Sequence, residues 1–375
     1  MAQPVARSMT TWTLYVADQV GQRQAQIDVY HHFKVIARYN AISTWELELP
    51  TDCDASDALL NLQHPRIVVR IDDRTLRSGP MTHLERNITN EGDDLSLTGV
   101  DDMVWLSRRI AHPQPATAAP PYAVNDYDVR TGQASQILAQ YIDANAGPSA
   151  VPARRVPGLV VPVPAPVGGV VTWQARYENL SEFIIGKADA LGLGVRVVDL
   201  SVDIFTPVVR SAVFSLELGT LAETSSTFDA ATGNFVYVAG QGLGKLRTIV
   251  EVTNAQSVLD WGRVEQFQDR RDTNDNAQLV SAGNETLARA VTPPMVSFEP
   301  VDSPVQQVPR DWSVGDIVQV RVGDQIRADI VREAAIDLVE GAPVKIAATI
   351  GAADDFALFR ASIDQGRRIR QLERV

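Results

Sequence analysis

The sequence predicts a mainly β chain of 375 residues in which an α+β insert separates two β-rich bodies. Three observations carry that expectation. Residues 66–99 read as a meander: Arg66-Ile-Val-Val-Arg-Ile71, Thr75-Leu-Arg-Ser78, Met81 to Asn87 and Leu95-Ser-Leu-Thr-Gly99. Turn chemistry at Asp72-Asp73, Gly79-Pro80 and Asn90-Glu-Gly-Asp-Asp94 divides them. Residues 112–205 instead carry two helical stripes between short strands, and residues 206–351 return to short apolar runs.

The elements follow in order. Thr11-Trp-Thr-Leu-Tyr-Val16 and Phe33-Lys-Val-Ile-Ala-Arg-Tyr39 alternate, and Trp45-Glu-Leu-Glu-Leu49 does so in strict period two. Residues 54–63 predict a short helix with Leu59, Leu60 and Leu62 on its apolar side. With the meander these strands make a sheet that a barrel would close, removing its open edges. Asp101-Asp102 is expected to open a short helix running to Ile110, its carboxylates accepting free N–H groups at the positive dipole end. Residues 112–121 are rich in Pro and Ala and read as a linker. Thr131 is expected to cap a helix over 132–144, with Ile137, Leu138, Tyr141 and Ile142 at helical spacing. A strand at Val170-Val-Thr-Trp173 precedes a helix over 179–191, which Gly192 and Gly194 end. Strands are then expected at 195–198, 214–218, 235–238, 247–252, 295–298, 317–322, 326–331 and 344–348. A helix over 274–290 interrupts them, and Gly323-Asp324 is hairpin chemistry. The last stretch, 352–375, reads as a helix with a drifting stripe of Phe356, Phe359, Ile363, Ile369 and Leu372.

Composition narrows the function. Lys and Arg number 34 against 46 Asp and Glu, a net charge of −12, which disfavours stable binding to nucleic acid or anionic membrane as the main role. The lone Cys53 permits no internal disulfide and reads as a bystander, not a nucleophile. No secretory segment and no run of ~18 apolar residues is present. The most apolar region, 156–171, is broken by four prolines and three glycines.

Catalytic patterns are weak throughout. The five histidines, His31, His32, His64, His83 and His112, have no metal-ligand spacing, and adjacent His31 and His32 would face opposite sides of a strand. Gly240-Gln-Gly-Leu-Gly-Lys245 has Lys where a dinucleotide fingerprint needs its third Gly, so it reads as a turn between strands. Asp272-Thr-Asn-Asp-Asn276 lacks the Gly and Glu of a calcium loop and reads as a helix-capping segment. Glu46 and Glu48 read as a solvated strand face. No catalytic, cofactor-binding or metal residue is expected.

Several pieces in order, however, resemble a known family. They are Arg77-Ser-Gly-Pro80, Leu95-Ser-Leu-Thr-Gly-Val-Asp-Asp102, Tyr127-Asp-Val-Arg-Thr-Gly-Gln-Ala134, Phe214-Ser-Leu-Glu-Leu-Gly219, Asn234-Phe-Val-Tyr-Val-Ala-Gly240, Gly262-Arg-Val-Glu265, Asp269-Arg-Arg-Asp272 and Trp312-Ser-Val-Gly-Asp316. Over residues 11–351 the chain resembles a siphophage minor tail protein of the tail-tip or baseplate hub type, from phages of actinobacteria. That type is related to the hub part of tail-associated lysins. The resemblance implies two antiparallel β-barrel hub domains, 1–111 and 206–351, the latter with a helical insertion at 274–290, together with the α+β insert 112–205 and the C-terminal helix 352–375. It also implies a homotrimer at the tail tip of the virion, assembled in the bacterial host cytoplasm. Such a trimer would adapt a sixfold tail tube and distal tail protein hexamer to a threefold tip and line the genome exit channel. Its expected partners are tail fibre or tip proteins, a tape-measure protein and phage DNA in transit, with no cofactor. Val375 leaves no room for a hydrolase domain of ~100 residues, so a structural protein is expected, not an enzyme. Two alternatives stay open: a cell-wall hydrolase or peptidase using two carboxylates in the insert or around Glu265 and Asp269, and a receptor- or glycan-binding module using exposed Trp or Tyr such as Trp173 or Trp312.

Overall fold

The structure, a computed structural model, describes residues 10–90, 92–118, 125–227, 231–290, 295–301 and 307–351. The expected helix over 352–375 lies outside the described residues. The chain forms two compact units, Met1–Thr224 with Ser297–Ala348, and Ser225–Val296 with Thr349–Val375.

The first unit opens with β1 (Trp12–Ala17), β2 (Arg23–Ile27), β3 (His32–Arg38), β4 (Thr44–Pro50), α1 (Asp54–Asn61), β5 (Arg66–Ile71), β6 (Arg74–Ile88), β7 (Asp93–Val100), α2 (Val104–Ser107) and β8 (Ile110–Ala111). An α+β segment follows: β9 (Asp128–Gln133), α3 (Ala134–Asn145), β10 (Val170–Ala175), β11 (Glu178–Asn179), α4 (Leu180–Ala190), β12 (Gly194–Val198) and β13 (Ser201–Phe205). After β14 (Val209–Phe214) and β15 (Leu221–Thr227) comes the second unit, with β16 (Phe235–Ala239), β17 (Ile249–Thr253), α5 (Ala255–Trp261), β18 (Glu265–Asp269) and α6 (Asn276–Ala290). β19 (Met295–Pro300), β20 (Ile317–Val322), β21 (Gln325–Val339) and β22 (Lys345–Ile350) are the last elements among the described residues.

The fold is mainly β, as expected, and its body is one large, almost wholly antiparallel sheet. The strands run β15-β19-β22-β21-β3-β4-β7-β6-β5-β1-β2, with β20 joining β21 to a parallel β14. Alternation does its work in β4: Trp45, Leu47 and Leu49 are buried while Glu46 and Glu48 are exposed. β21 joins the N- and C-terminal β-rich portions. Its residues 325–330 pair with β20, and 333–339 pair with β3. The sequence suggested a strand only to Val331. It continues because Ala334, Ile336 and Leu338 find a buried face, while Glu333 and Asp337 find Arg38 and His32 across the pair.

Three expectations need correction. Gly79-Pro80 is not a turn, because β6 runs through it for 15 residues. Residues up to Pro80 pair with β5, those from Met81 pair with β7, and the register shifts between Met81 and His83. Gly79 sits so close to the backbone of Val100 and Asp101 that a Cβ has no room there, and Pro80 brings no N–H to the point where the strand changes partner. The strand therefore bends without reversing. Asp128–Gln133 is a strand paired with β10, so the helix begins at Ala134 with Gln133, not Thr131, at its N-cap. The Thr131 hydroxyl bonds that of Thr172 across the pair instead, at 2.9 Å. Finally β14 ends at Phe214, where 214–218 suggested a strand. Ser215 N–H donates to Thr220 Oγ1 at 2.9 Å, and Gly219 at φ +64 closes the turn.

The α+β segment has its own core. Met103, Leu106 and Ala111 pack with Ile137, Leu138, Tyr141, Ile142, Phe183 and Ile184, so this core begins at α2. In the second unit β16 lies between antiparallel β17 and parallel β18. α6 closes one face, with Leu279, Ala282 and Leu287 against Val236, Val238 and Val252. The Gly240–Lys245 run is the expected turn between β16 and β17. Asp275 accepts from Gln278 N–H at 3.0 Å, which makes 272–276 the expected helix-capping segment.

Candidate functional site

The densest buried polar cluster among the described residues lies where the chain leaves β7 for α2. Asp101 and Asp102 are 3% and 0% exposed, and Arg66 and Arg77 are 1% and 5% exposed. Charges this deep persist only with partners. Arg66 Nη2 donates to Asp102 Oδ1 at 2.7 Å and Oδ2 at 2.6 Å. Ser78 Oγ donates to Asp102 Oδ2 at 2.5 Å. Arg77 Nε stands 3.7 Å from Asp101 Oδ2 and donates to Ser43 Oγ at 3.0 Å, and Arg77 Nη2 donates to Arg38 O. Asp101 Oδ1 accepts Met103 N–H at 3.2 Å, while Asp102 serves Arg66; the expected helix to Ile110 is shorter, α2 having no side-chain cap and ending at Ser107, with Ile110 in β8.

Burial dominates the electrostatics. It pushes the Asp101 carboxyl up to about 7, against the pull of Arg77 and Ser43, with Asp102 pushing the same way as burial. Asp102 is also raised by burial, against Arg66. Arg77 is lowered to about 10 by the same desolvation, with Asp101 opposing.

This cluster reaches the α+β segment through its last hairpin. Val198 pairs with Ser201, so Asp199 and Leu200 form a two-residue loop, and both have positive φ, +49 and +58. Such loops favour Asn-Gly, because a branched side chain resists this backbone region. Here the first unit's side chains hold it. Asp199 N–H donates to Ser78 Oγ at 2.7 Å, Leu200 N–H to Asp102 Oδ2 at 3.3 Å, and Thr75 Oγ1 donates to Asp199 Oδ2 at 2.6 Å. Leu200 is 1% exposed. Nearby, Asn40 Nδ2 donates to Leu193 O at 2.8 Å and to Asp189 Oδ1, and Asn40 Oδ1 accepts Val195 N–H at 2.7 Å. The buried groups of the cluster are taken up by one another and by the hairpin backbone, an arrangement that joins and orients the two parts.

The candidates from the sequence do not converge. Glu265 and Asp269 lie four residues apart on one exposed face of β18, a span of roughly 13 Å for a strand, too long for a retaining or inverting carboxylate pair. Each is occupied: Glu265 accepts from Arg263 at 2.6 Å, and Asp269 pairs with Arg247 and Arg271. Trp173 and Trp312 are both buried, Trp173 in the α+β core and Trp312 against Phe214 and Phe298, so neither can stack on a glycan. His31 and His32 bind Asp94 and Asp337 separately, and His112 stacks edge-on to Tyr177. No group of three metal-ligating side chains occurs among the described residues. Cys53 precedes α1 and contacts Pro50 O and Ser56 Oγ. No helix among the described residues is long and apolar enough to cross a membrane.

Sequence reasoning missed Arg66, Arg77, Ser78 and Asn40. One signal was present: Arg66 opens the apolar strand run Ile67-Val-Val69, and a buried Arg demands a carboxylate, which Asp101-Asp102 supplies.

Comparison with known proteins places this geometry in context. Residues 13–352 match the model of the family described as Siphovirus ReqiPepy6 Gp37-like protein. The fold is similar to that of the prophage MuSo2 43 kDa tail protein of Shewanella oneidensis, with TM-score 0.59 and 9% identity over 91% of this chain and 98% of that one. It is similar to a tail protein from Neisseria meningitidis, with TM-score 0.55 and 12% identity over 92% and 97%. It is likewise similar to prophage tail protein gp18 of Listeria monocytogenes, with TM-score 0.55 and 11% identity over 94% and 98%. No curated protein matches the chain.

Proposed function

Since the chain belongs to the siphovirus ReqiPepy6 Gp37-like family, we propose that it is a non-enzymatic structural protein of the phage tail, the hub of the tail tip. One observation carries this: the likeness runs end to end, covering 91% or more of this chain and 97% or more of each of three tail proteins. A shared catalytic patch on unrelated scaffolds would not produce that. The spacing of Glu265 and Asp269 and the burial of Trp173 and Trp312 favour this reading over the hydrolase and glycan-binding alternatives.

In this proposal the chain works as a homotrimer in the virion, assembled in the host cytoplasm. The β-rich portions 1–111 and 206–351 act as two barrel-like hub domains, so that three chains present six lobes to the distal tail protein hexamer. The opposite face meets tail fibre or tip proteins in threefold symmetry, and a tape-measure protein and then DNA pass through the middle. An acidic chain suits a lumen that DNA must cross without being retained.

The test is the mass and image of the purified full chain, alone and with its distal tail protein. A threefold ring of two-lobed subunits that caps the distal ring is expected. A stable monomer that binds no tail ring overturns the proposal.

A further inference from the structure

We propose that the Asp199–Leu200 hairpin tip is a conformational latch: it holds the α+β body, 103–205, against the large sheet, and its release lets that body swing while both cores stay folded. This does not depend on the tail assignment.

The first ground is how the two parts are joined. The α+β body has a core of its own, with Ile42 of the β3–β4 connection packed against it, and the chain crosses between the two parts at Asp102-Met103 and at Thr206-Pro207-Val208. Among the described residues no strand ladder links the large sheet to the α+β body. The joint is made by side chains of the sheet reaching backbone groups of the hairpin. Asn40 takes Val195 N–H, Ser78 takes Asp199 N–H, and Asp102 takes Leu200 N–H. These bonds run along one hairpin, from Asn40 and the Tyr39–Phe205 ring contact at its base to Ser78, Thr75 and Asp102 at its tip, so the joint can part without unzipping a sheet.

The second ground is strain. Two successive non-glycine residues at positive φ are unfavourable by themselves and persist where the surroundings over-determine them. Here the surroundings are Ser78, Thr75 and Asp102, together with the buried Leu200 side chain. Leu200 reaches both Gly158 and Gly21, where an added Cβ would lie 2.9 and 3.8 Å from its Cδ1. The third ground is the cluster beneath. The Arg66–Asp102 pair there is fully desolvated, at 1% and 0% exposure, and a buried ion pair adds little net stability to the joint that rests on it. A strained tip seated on a desolvated ion pair is a joint with a shallow minimum.

Residue-resolved hydrogen exchange on the full chain tests this, comparing wild type with Ser78→Ala and Thr75→Val. Thr75→Val removes only a partly exposed hydroxyl, so it keeps the test valid should Ser78→Ala fold poorly. In wild type the amides of Val195, Asp199 and Leu200 should exchange together, at least tenfold faster than amides in the β4–β7 pairing and in α3. The variants should speed those three a further tenfold or more and leave the β4–β7 and α3 amides unchanged. Exchange of the three at the β4–β7 rate in wild type overturns the latch. So does a uniform acceleration of the whole chain, or no change at the three amides in either variant.

Discussion

Arg66 grips both carboxylate oxygens of Asp102 through a single nitrogen, at 2.7 and 2.6 Å, with the two side chains 1% and 0% exposed. Asp102→Ala leaves a buried guanidinium without its counter-charge and should lower stability by roughly 3–5 kcal/mol. Replacing both partners, Arg66→Met with Asp102→Leu, removes the charge as well as the bond and should cost less than Asp102→Ala alone. Urea melts of the three variants check the order. A double variant worse than the single one would show that the pair contributes more than its desolvation removes.

Asp101 sets a pH dependence. Its carboxyl holds its proton up to about 7 in the folded chain but releases it near 3.8 when unfolded. Between those values the native state binds more protons, so stability falls as pH rises through the window. Asp102, also raised by burial, adds in the same direction. The melting temperature should therefore drop between about pH 4 and pH 7 at constant ionic strength. Asp101→Asn, which has no proton to lose, should flatten that slope. A wild-type melting temperature that climbs across the same window would show that Arg77 outweighs burial.

The local grammar of the fold was legible, and its long-range joints were not. Trp45-Glu-Leu-Glu-Leu49 reads directly as a half-buried strand, and Ile137, Leu138, Tyr141 and Ile142 as a buried helix face, because period and burial coincide within a few residues. β6 was split because Gly79-Pro80 is turn chemistry in isolation. Only the approach of Val100, far along the chain, makes it a bend. β2 and β18, Arg23-Gln-Ala-Gln-Ile27 and Glu265-Gln-Phe-Gln-Asp269, lie at sheet edges, where a strand needs little apolar content. The Arg66–Asp102 pair spans 36 positions, and no periodicity reaches that far.

Trp312 distinguishes a packing residue from a binding one. It lies 5.5 Å from Phe214 and 6.1 Å from Phe298, ring centre to ring centre, at 1% exposure. Trp312→Ala should cost about 3–5 kcal/mol as the cavity fails to collapse. Trp261→Ala, at 46% exposure, should stay within about 0.5 kcal/mol. Thermal melts compare them, and equal effects would place Trp312 outside the core.

Gly283 sets two principles against each other in the second unit. In an open helix Gly→Ala stabilises by up to about 1 kcal/mol, because alanine has less backbone freedom to lose. At Gly283, however, an added Cβ would lie 2.8 Å from Val252 Cβ and 3.0 Å from Val238 Cγ2. Both neighbours are β-branched, with little χ1 freedom, and both sit on paired strands, so neither can give way cheaply. Overpacking of this kind costs about 1–3 kcal/mol, which outweighs the helix gain. Gly283→Ala should therefore destabilise the second unit while leaving the first unchanged. Limited proteolysis resolved by peptide should show faster cleavage within 231–290 and no change in peptides from β3, β4 and β7. Slower cleavage in the variant would mean that α6 does not seat on β16 and β17 as closely as Val238 and Val252 require.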